Sequence, residues 1–239
     1  MLKENEDKLL NIVNKYIGND ESKKEFLDIA IPIVEHTEFQ KRMSNSFLHH
    51  SDITLGEHII EDAVVTYCLC KKKKKKVNLT LAVKIALFHD LYTIPWQNNK
   101  KNTKVKKFSN KHGFRHPIEA VINAYTWYPN EFENIKNAEI IIDGIIHHMY
   151  PLPVTRLKSK PYNYYELKNY NQFENLPANI KLLIYKSCNR GKLFKVSFCK
   201  SKFYEGRMMS KADKKVSFHQ IKNVSSASAL VTGHNNSLK

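Results

Sequence analysis

Apolar residues recur every three or four positions through most of this chain, the spacing of a buried stripe along an amphipathic helix. Leu9, Leu10, Ile12, Val13 and Ile17 predict one helix over residues 4–17, and Phe26, Ile29, Ala30, Ile33 and Val34 a second over 22–35. Thr54 followed three residues later by Glu57 is the signature of a capping box, so a third helix is expected to start there and run through His58 towards Cys70. Residues 78–90 read as a fourth. Pro117 suits the first turn of a helix reaching about Trp127. The run Ile135 to Ile146 forms another, stopped by Pro151 and Pro153. Between Leu157 and about Tyr204 the helical period is lost, and "KLFKVSFCKSKFY" alternates enough for a short strand or hairpin, so 157–204 reads as an insertion. Helical spacing returns from Met208 to about Leu230, and the tail 232–239 is expected to fray. The Lys- and Asn-rich stretch from Pro95 to Asn110 reads as a flexible loop. No internal repeat interrupts this, and residues 1–239 are read as a single all-α domain.

Composition sharpens that reading. A chain of 239 residues with 42% hydrophobic content can bury a substantial core, and only 7 glycines disfavour a turn-rich sandwich or barrel. Met1 to Asp7 lack the apolar core of a signal peptide, and no stretch reaches the roughly 18 uncharged residues that span a bilayer, so a cytoplasmic protein without membrane contact is expected. Cys68, Cys70, Cys188 and Cys199 form no CxxC pair and read as reduced thiols. A net charge of +16 raises nucleic acid as a partner. The six-lysine run Lys71 to Lys76, however, sits at a helix end and reads as a solvated segment, so nucleic acid is allowed rather than favoured. Oligomeric state is left open.

Histidine placement changes the picture more than charge does. Eight of the 11 histidines fall between residues 49 and 148: His49, His50, His58, His89, His112, His116, His147 and His148. His89 and Asp90 follow the apolar run Ile85 to Phe88, where a buried carboxylate needs a partner. Consecutive helical residues point about 100° apart, so the two can share a metal centre only where the helix ends, and Thr93-Ile94-Pro95 supplies that end. Neutral imidazoles with a carboxylate suit iron, manganese, zinc or related divalent ions, and Asp90 is the natural bridge between two of them.

These residues carry a resemblance. In order, "HHSDITLGEHII" provides His58, "LFHD" provides His89 and Asp90, "KHGFRHPIEA" provides His116, "IIHHMYPLP" provides His147 and His148, and "MSKADKKVS" provides Asp213. The set resembles the HD-domain family of metal-dependent phosphohydrolases, over about residues 45–156 and 205–220. Within it the chain is most similar to stand-alone bacterial members sharing the "HGF-HP" and "HM-aromatic-PL" elements. The resemblance implies an HD-type helical bundle holding two divalent ions, Fe or Mn, or others such as Zn, Mg, Ni or Co. One ion would sit on His58, His89, Asp90 and Asp213, the other on Asp90, His116 and His148. Two features depart from the pattern. Leu91 and Tyr92 replace the glycine and lysine that often follow the HD pair, which weighs against a cyclic-dinucleotide substrate, and the segment from His148 to Asp213 is long.

Two assignments stay open at this point. Asp143, four residues before His147, rivals Asp213 as the last ligand or orients an imidazole, and His147 is either a second ligand or a donor to substrate. The implied activity is phosphoester hydrolysis of a nucleotide or small phosphorylated metabolite by a metal-activated hydroxide. Lys214 is the first candidate to stabilise charge on the phosphoryl oxygens, with Arg115, Arg207 and Lys111 weaker ones. His50 is assigned to substrate or general-acid duty, and Tyr92, Trp96, Trp127 and Tyr150 are candidates for stacking on a base. Two other readings share these residues: a di-iron oxygenase resembling inositol oxygenase, and a basic RNA- or ligand-binding protein with a structural metal.

Overall fold

The computed structural model describes residues 1–50, 52–73, 77–93, 112–157 and 170–233, with the side chains of 50, 170, 171 and 221–233 left aside. The fold is all-α with two small antiparallel sheets. Its helices are α1 (Lys3–Tyr16), α2 (Asp20–Val34), α3 (Thr37–Arg42), α4 (Leu55–Lys71), α5 (Leu79–Phe88), α6 (His112–Trp127), α7 (Ile135–Ile146), α8 (Tyr170–Glu174), α9 (Ala178–Cys188) and α10 (Tyr204–Gly233). Strands β1 (Leu48–His50) and β2 (Ile53–Thr54) pair with each other. A second sheet has the order β3-β5-β4, from Val154–Thr155, Val196–Ser197 and Lys192–Leu193. Among the described residues no helix is long and apolar enough to cross a membrane.

The stripes read from the sequence are the buried faces. Leu9 and Val13 of α1 pack on α4, while Phe26, Ala30 and Ile33 of α2 turn inward towards α5. Helix starts are set by side chains that satisfy otherwise unpaired amides. Asn19 accepts from Ser22 N at 2.8 Å, Asn78 from Leu81 N at 3.1 Å, and Asn134 from Lys136 N and Asn137 N at 3.1 Å each. The capping box forms in full: Glu57 N donates to Thr54 Oγ1 at 3.2 Å and Thr54 N to Glu57 Oε2 at 3.0 Å. A cap of this kind is worth about 1 kcal/mol, and this one fixes where α4 begins, one turn ahead of His58.

Three expectations need correction or lie elsewhere. Helix α6 is described from His112, so Pro117 stands inside it and not in its first turn. As the sixth residue it lies past the first turn, and its ring removes the amide that would otherwise donate to the Gly113 carbonyl. The stretch 157–204 does contain the expected hairpin, β4 with β5, turning through Phe194 at φ 51°. It also contains α9, whose Ile180, Ile184 and Cys188 recur at four-residue spacing and bury against α7, so this part belongs to the core. The loop expected over 95–110, the last three residues of the lysine run, 74–76, and residues 234–239 lie outside the described residues.

α4 and α5 form the central pair, and α10 lies across α4, α5 and α7. Close approach requires glycine at two crossings, α10 on α7 and α7 on α5. A Cβ on Gly206 would sit 2.7 Å from the Cα of Gly144, and one on Gly144 would sit 2.7 Å from Cδ1 of Ile85. Two turns beyond Gly206, the same helix carries Asp213 towards the ends of α4 and α5. Gly206→Ala is therefore expected to cost about 1–3 kcal/mol, the range for overpacking a filled site, measured by urea unfolding. An unchanged midpoint would mean that α10 does not approach α7 this closely.

Candidate metal centre

Each histidine of the expected set is delivered by a helix end or a short helical spacing. His58 stands in the first turns of α4. His89 is the C-cap of α5 (φ −60°, ψ −32°), so the chain leaves the helix at Asp90. That exit is gripped from two sides. Asn123 of α6 donates to the Leu91 carbonyl at 2.5 Å, and the fully buried Arg42 donates through Nη2 to the Tyr92 carbonyl at 3.0 Å. Arg42 is itself held by Glu38 and lies over the Trp127 ring at 4.4 Å. His116 comes from α6, His148 from the residue after the α7 C-cap, and Asp213 from α10.

The imidazoles share one orientation, and their outer partners determine it. Nδ1 of His89 lies 2.6 Å from the Ala86 carbonyl, Nδ1 of His148 2.7 Å from the Ile145 carbonyl, and Nδ1 of His116 3.2 Å from the His112 carbonyl. A carbonyl only accepts, so each Nδ1 carries the proton. Nδ1 of His58 lies 3.1 Å from Gln220 Oε1, and Gln220 is oriented by donating through Nε2 to Glu61 at 2.8 Å. While neutral, each of the four rings leaves Nε2 with its lone pair.

Those four lone pairs converge on Asp90. Oδ2 lies 3.6 Å from His89 Nε2 and 3.9 Å from His58 Nε2; Oδ1 lies 3.2 Å from His116 Nε2 and 3.6 Å from His148 Nε2. The Nε2 atoms of His116 and His148 stand only 3.1 Å apart. Two nitrogen lone pairs at that separation repel unless positive charge lies between them. Around Oδ2 the crowding is of carboxylates: Asp62 Oδ2 lies 3.2 Å from His58 Nε2 and 3.3 Å from His89 Nε2, and Asp213 offers an oxygen to the same group, with all four donor atoms within 4.8 Å of one another.

Electrostatics point the same way. Burial and the neighbouring Asp213 and Asp90 push Asp62 well above the ordinary carboxylate range, and burial raises Asp213 although His89 opposes it. Burial also acts against the charge on Asp90, but His89, His116 and His148 outweigh it and hold that carboxyl well below the usual range. His148 is driven well below an ordinary imidazole by burial and by His116 and His89. Burial disfavours the charged form of His116, yet Asp90 outweighs it and draws positive charge there. One proton on His116 would leave much unanswered, because Asp62 Oδ1 and Oδ2, His89 Nε2 and Asp90 Oδ1 are buried without a hydrogen-bond partner among the described residues. Nitrogen and oxygen donors at this spacing are what divalent transition ions require, and this buried His/Asp cluster can hold a metal ion.

His58, His89, Asp90, His116, His148 and Asp213 are thus brought together. His147 is not. Its Nε2 lies 3.2 Å from the Ser187 carbonyl and 3.7 Å from Asp143, and its ring lies 3.7 Å from Cys199 Sγ, where burial lowers its pKa to about 4. Its neighbour His148 leaves the helix end in a different direction, which the doublet could not reveal. Asp143, the rival for the last ligand, is occupied by Arg190 at 2.7 Å, Ser201 Oγ at 2.7 Å and the Lys202 amide at 2.9 Å, and so braces α7 against the segment before α10.

The expected cations are dispersed. Arg115 is buried in α6, and Arg207 donates to the carbonyls of Ser201 and Lys202 at 2.8 and 2.9 Å. Lys214 is tied to the cluster's backbone: it donates to Ser210 Oγ at 3.0 Å, and Ser210 donates to the His148 carbonyl at 2.5 Å. The side chain of His50, Trp96 and Lys111 lie outside the described residues. Tyr92 is a core residue, not a stacking surface, and its hydroxyl meets His49 Nδ1 at 2.8 Å.

Two residues of the cluster escaped the sequence reading. Asp62 sits four residues after His58 on one helical face, a signal that was available. His49, stacked on His58 with ring centres 4.2 Å apart and grouped with His58 and Asp90, gave no signal beyond its place in a histidine-rich stretch. No protein family, curated protein or solved structure matches this chain.

Asp62→Asn keeps the side-chain volume and removes the charge. It is expected to weaken divalent-metal affinity at least tenfold, the lower end of what losing even an outer partner of a ligand costs, by competition against a fluorescent chelator. Affinity equal to wild type would place Asp62 outside the centre.

Proposed function

We propose that this protein is a metal-dependent phosphohydrolase of the HD kind, using two divalent ions bridged by Asp90. The observation that carries the reading is the division of one buried carboxylate between two pairs of imidazole lone pairs, His58 and His89 on Oδ2, His116 and His148 on Oδ1. With Asp213 and Asp62 joining the first pair, each half has the donors that manganese, iron or a related ion takes. Such a pair of ions, when bound, supplies a water of lowered pKa and polarises a phosphoryl oxygen.

The chain's own residues do the remainder. Gln220 and the carbonyls of Ala86, His112 and Ile145 hold the rings in the tautomer that presents Nε2. Burial of the whole set keeps bulk water from screening it. Lys214, anchored through Ser210 to the backbone of His148, is the cation placed to meet charge that develops on phosphoryl oxygens. Its substrate would be a small phosphoester. The oxygenase reading would use the same His/Asp set, and dependence on dioxygen separates it from hydrolysis; the RNA-binding reading rests on the net charge of +16 and does not need the cluster.

The test is turnover of a panel of phosphomonoesters and phosphodiesters with manganese under anaerobic conditions. Asp90→Ala is expected to lower kcat/KM by about a thousandfold or more, corresponding to loss of several kcal/mol of charge stabilisation. Lys214→Ala is expected to lower kcat by roughly 10²–10³ at nearly unchanged metal content. Hydrolysis that survives Asp90→Ala, or that needs dioxygen, would overturn the assignment.

A further inference from the structure

Beside the metal cluster, on the adjoining face of α10, lies a cavity of about 440 Å³. Five cations line it: Lys200, Arg207, Lys211, Lys214 and Lys215, with no carboxylate among the lining residues. Four of the five recur at three- and four-residue spacing along α10, so one helical face delivers them together. Several lysines elsewhere are paired, Lys15 with Glu61, Lys71 with Glu25, Lys84 with Glu131 and Lys202 with Glu139, and others stand singly on the surface; what sets this group apart is that five cations share one concave wall. Among the described residues, none of the five cavity cations lies within ion-pair distance of a carboxylate, so this concave wall keeps its charge unneutralised at a cost in mutual repulsion.

The cavity also has an aromatic wall. Tyr150 and Phe218 line it, Phe218 is 61% exposed, and Phe198, itself 43% exposed, lies against Tyr150 with ring centres 5.5 Å apart. Exposed rings beside clustered cations provide a stacking face next to phosphate donors. Lys214 has donors left over beyond Ser210.

We infer that this cavity binds a nucleoside polyphosphate, its phosphate chain along Lys200, Lys211 and Lys215 and its base against Tyr150 and Phe218. As a binding site it stands on the cavity alone. As the seat of the substrate's non-reacting end it rests on the hydrolase reading, since Ser210 links the cavity's Lys214 to the backbone of His148.

The experiment is titration of the full chain with a fluorescent ATP analogue in EDTA at about 150 mM salt, with inorganic tripolyphosphate and adenosine as competitors. Wild type and Asp90→Ala are expected to bind alike, tripolyphosphate to compete and adenosine to compete poorly. Lys211→Glu with Lys215→Glu should weaken binding at least tenfold. The charge-matched pair Lys3→Glu with Lys24→Glu, at exposed positions on α1 and α2, should leave it within twofold. Phe218→Ala should weaken the analogue more than tripolyphosphate. Equal losses in both charge-reversed pairs, no binding by wild type, or binding of RNA oligomers without binding of the nucleotide would each overturn the site. Failure of the wild type to bind manganese, with nucleotide binding intact, would instead count only against the hydrolase reading.

Discussion

One buried carboxylate organises this molecule. Asp90 is 6% exposed, yet it faces four imidazole nitrogens that, by the hydrogen bonds on their far sides, have lone pairs to offer whenever the rings are neutral. A set of electron-rich atoms pressed together in a medium of low polarity is costly until positive charge enters it. The centre is thus a place where the apo protein holds unfavourable electrostatics, and metal affinity and folding should be linked there.

The scaffold's contribution is to make that crowding unavoidable. Arg42 and Asn123 clamp the carbonyls immediately after Asp90, so the carboxylate cannot swing away with its loop. The glycine crossing of α7 and α10 brings Asp213 to the same place, and Gln220, two turns further on, reaches back to His58 and Glu61. Glu61 is in turn bound by Lys15 and Tyr16 of α1. Elements remote in sequence therefore share one network, and disturbing α1 or α10 should be felt at the imidazoles.

Much of this was legible before any coordinates. Helices with a clean apolar stripe and a capping residue, such as α4 behind Thr54 and α7 over Ile135–Ile146, follow from local physics. The ordered set His58, His89, Asp90, His116, His148 and Asp213 was picked out by its resemblance to the HD-domain pattern, local physics marking only His89 and Asp90 at the end of an apolar run. What stayed hidden depends on direction rather than order. His147 and His148 are neighbours, but the turn at the α7 end sends one to Ser187 and Asp143 and the other to Asp90. Asp62 was visible as a helical i,i+4 partner of His58 but was hidden in the neighbouring acidic pair with Glu61. Helix α9 was missed because Ile180, Ile184 and Cys188 are separated by Lys, Leu and Tyr, which blur the stripe.

The electrostatic account leads to a crystal of the protein soaked in manganese and measured at wavelengths where that ion scatters anomalously. Two anomalous peaks are predicted on either side of the Asp90 carboxylate, one within coordination distance of His58 and His89 and the other of His116 and His148. Density that shows Asp90 hydrogen-bonded to a protonated His116 with no peak in the cluster would contradict it.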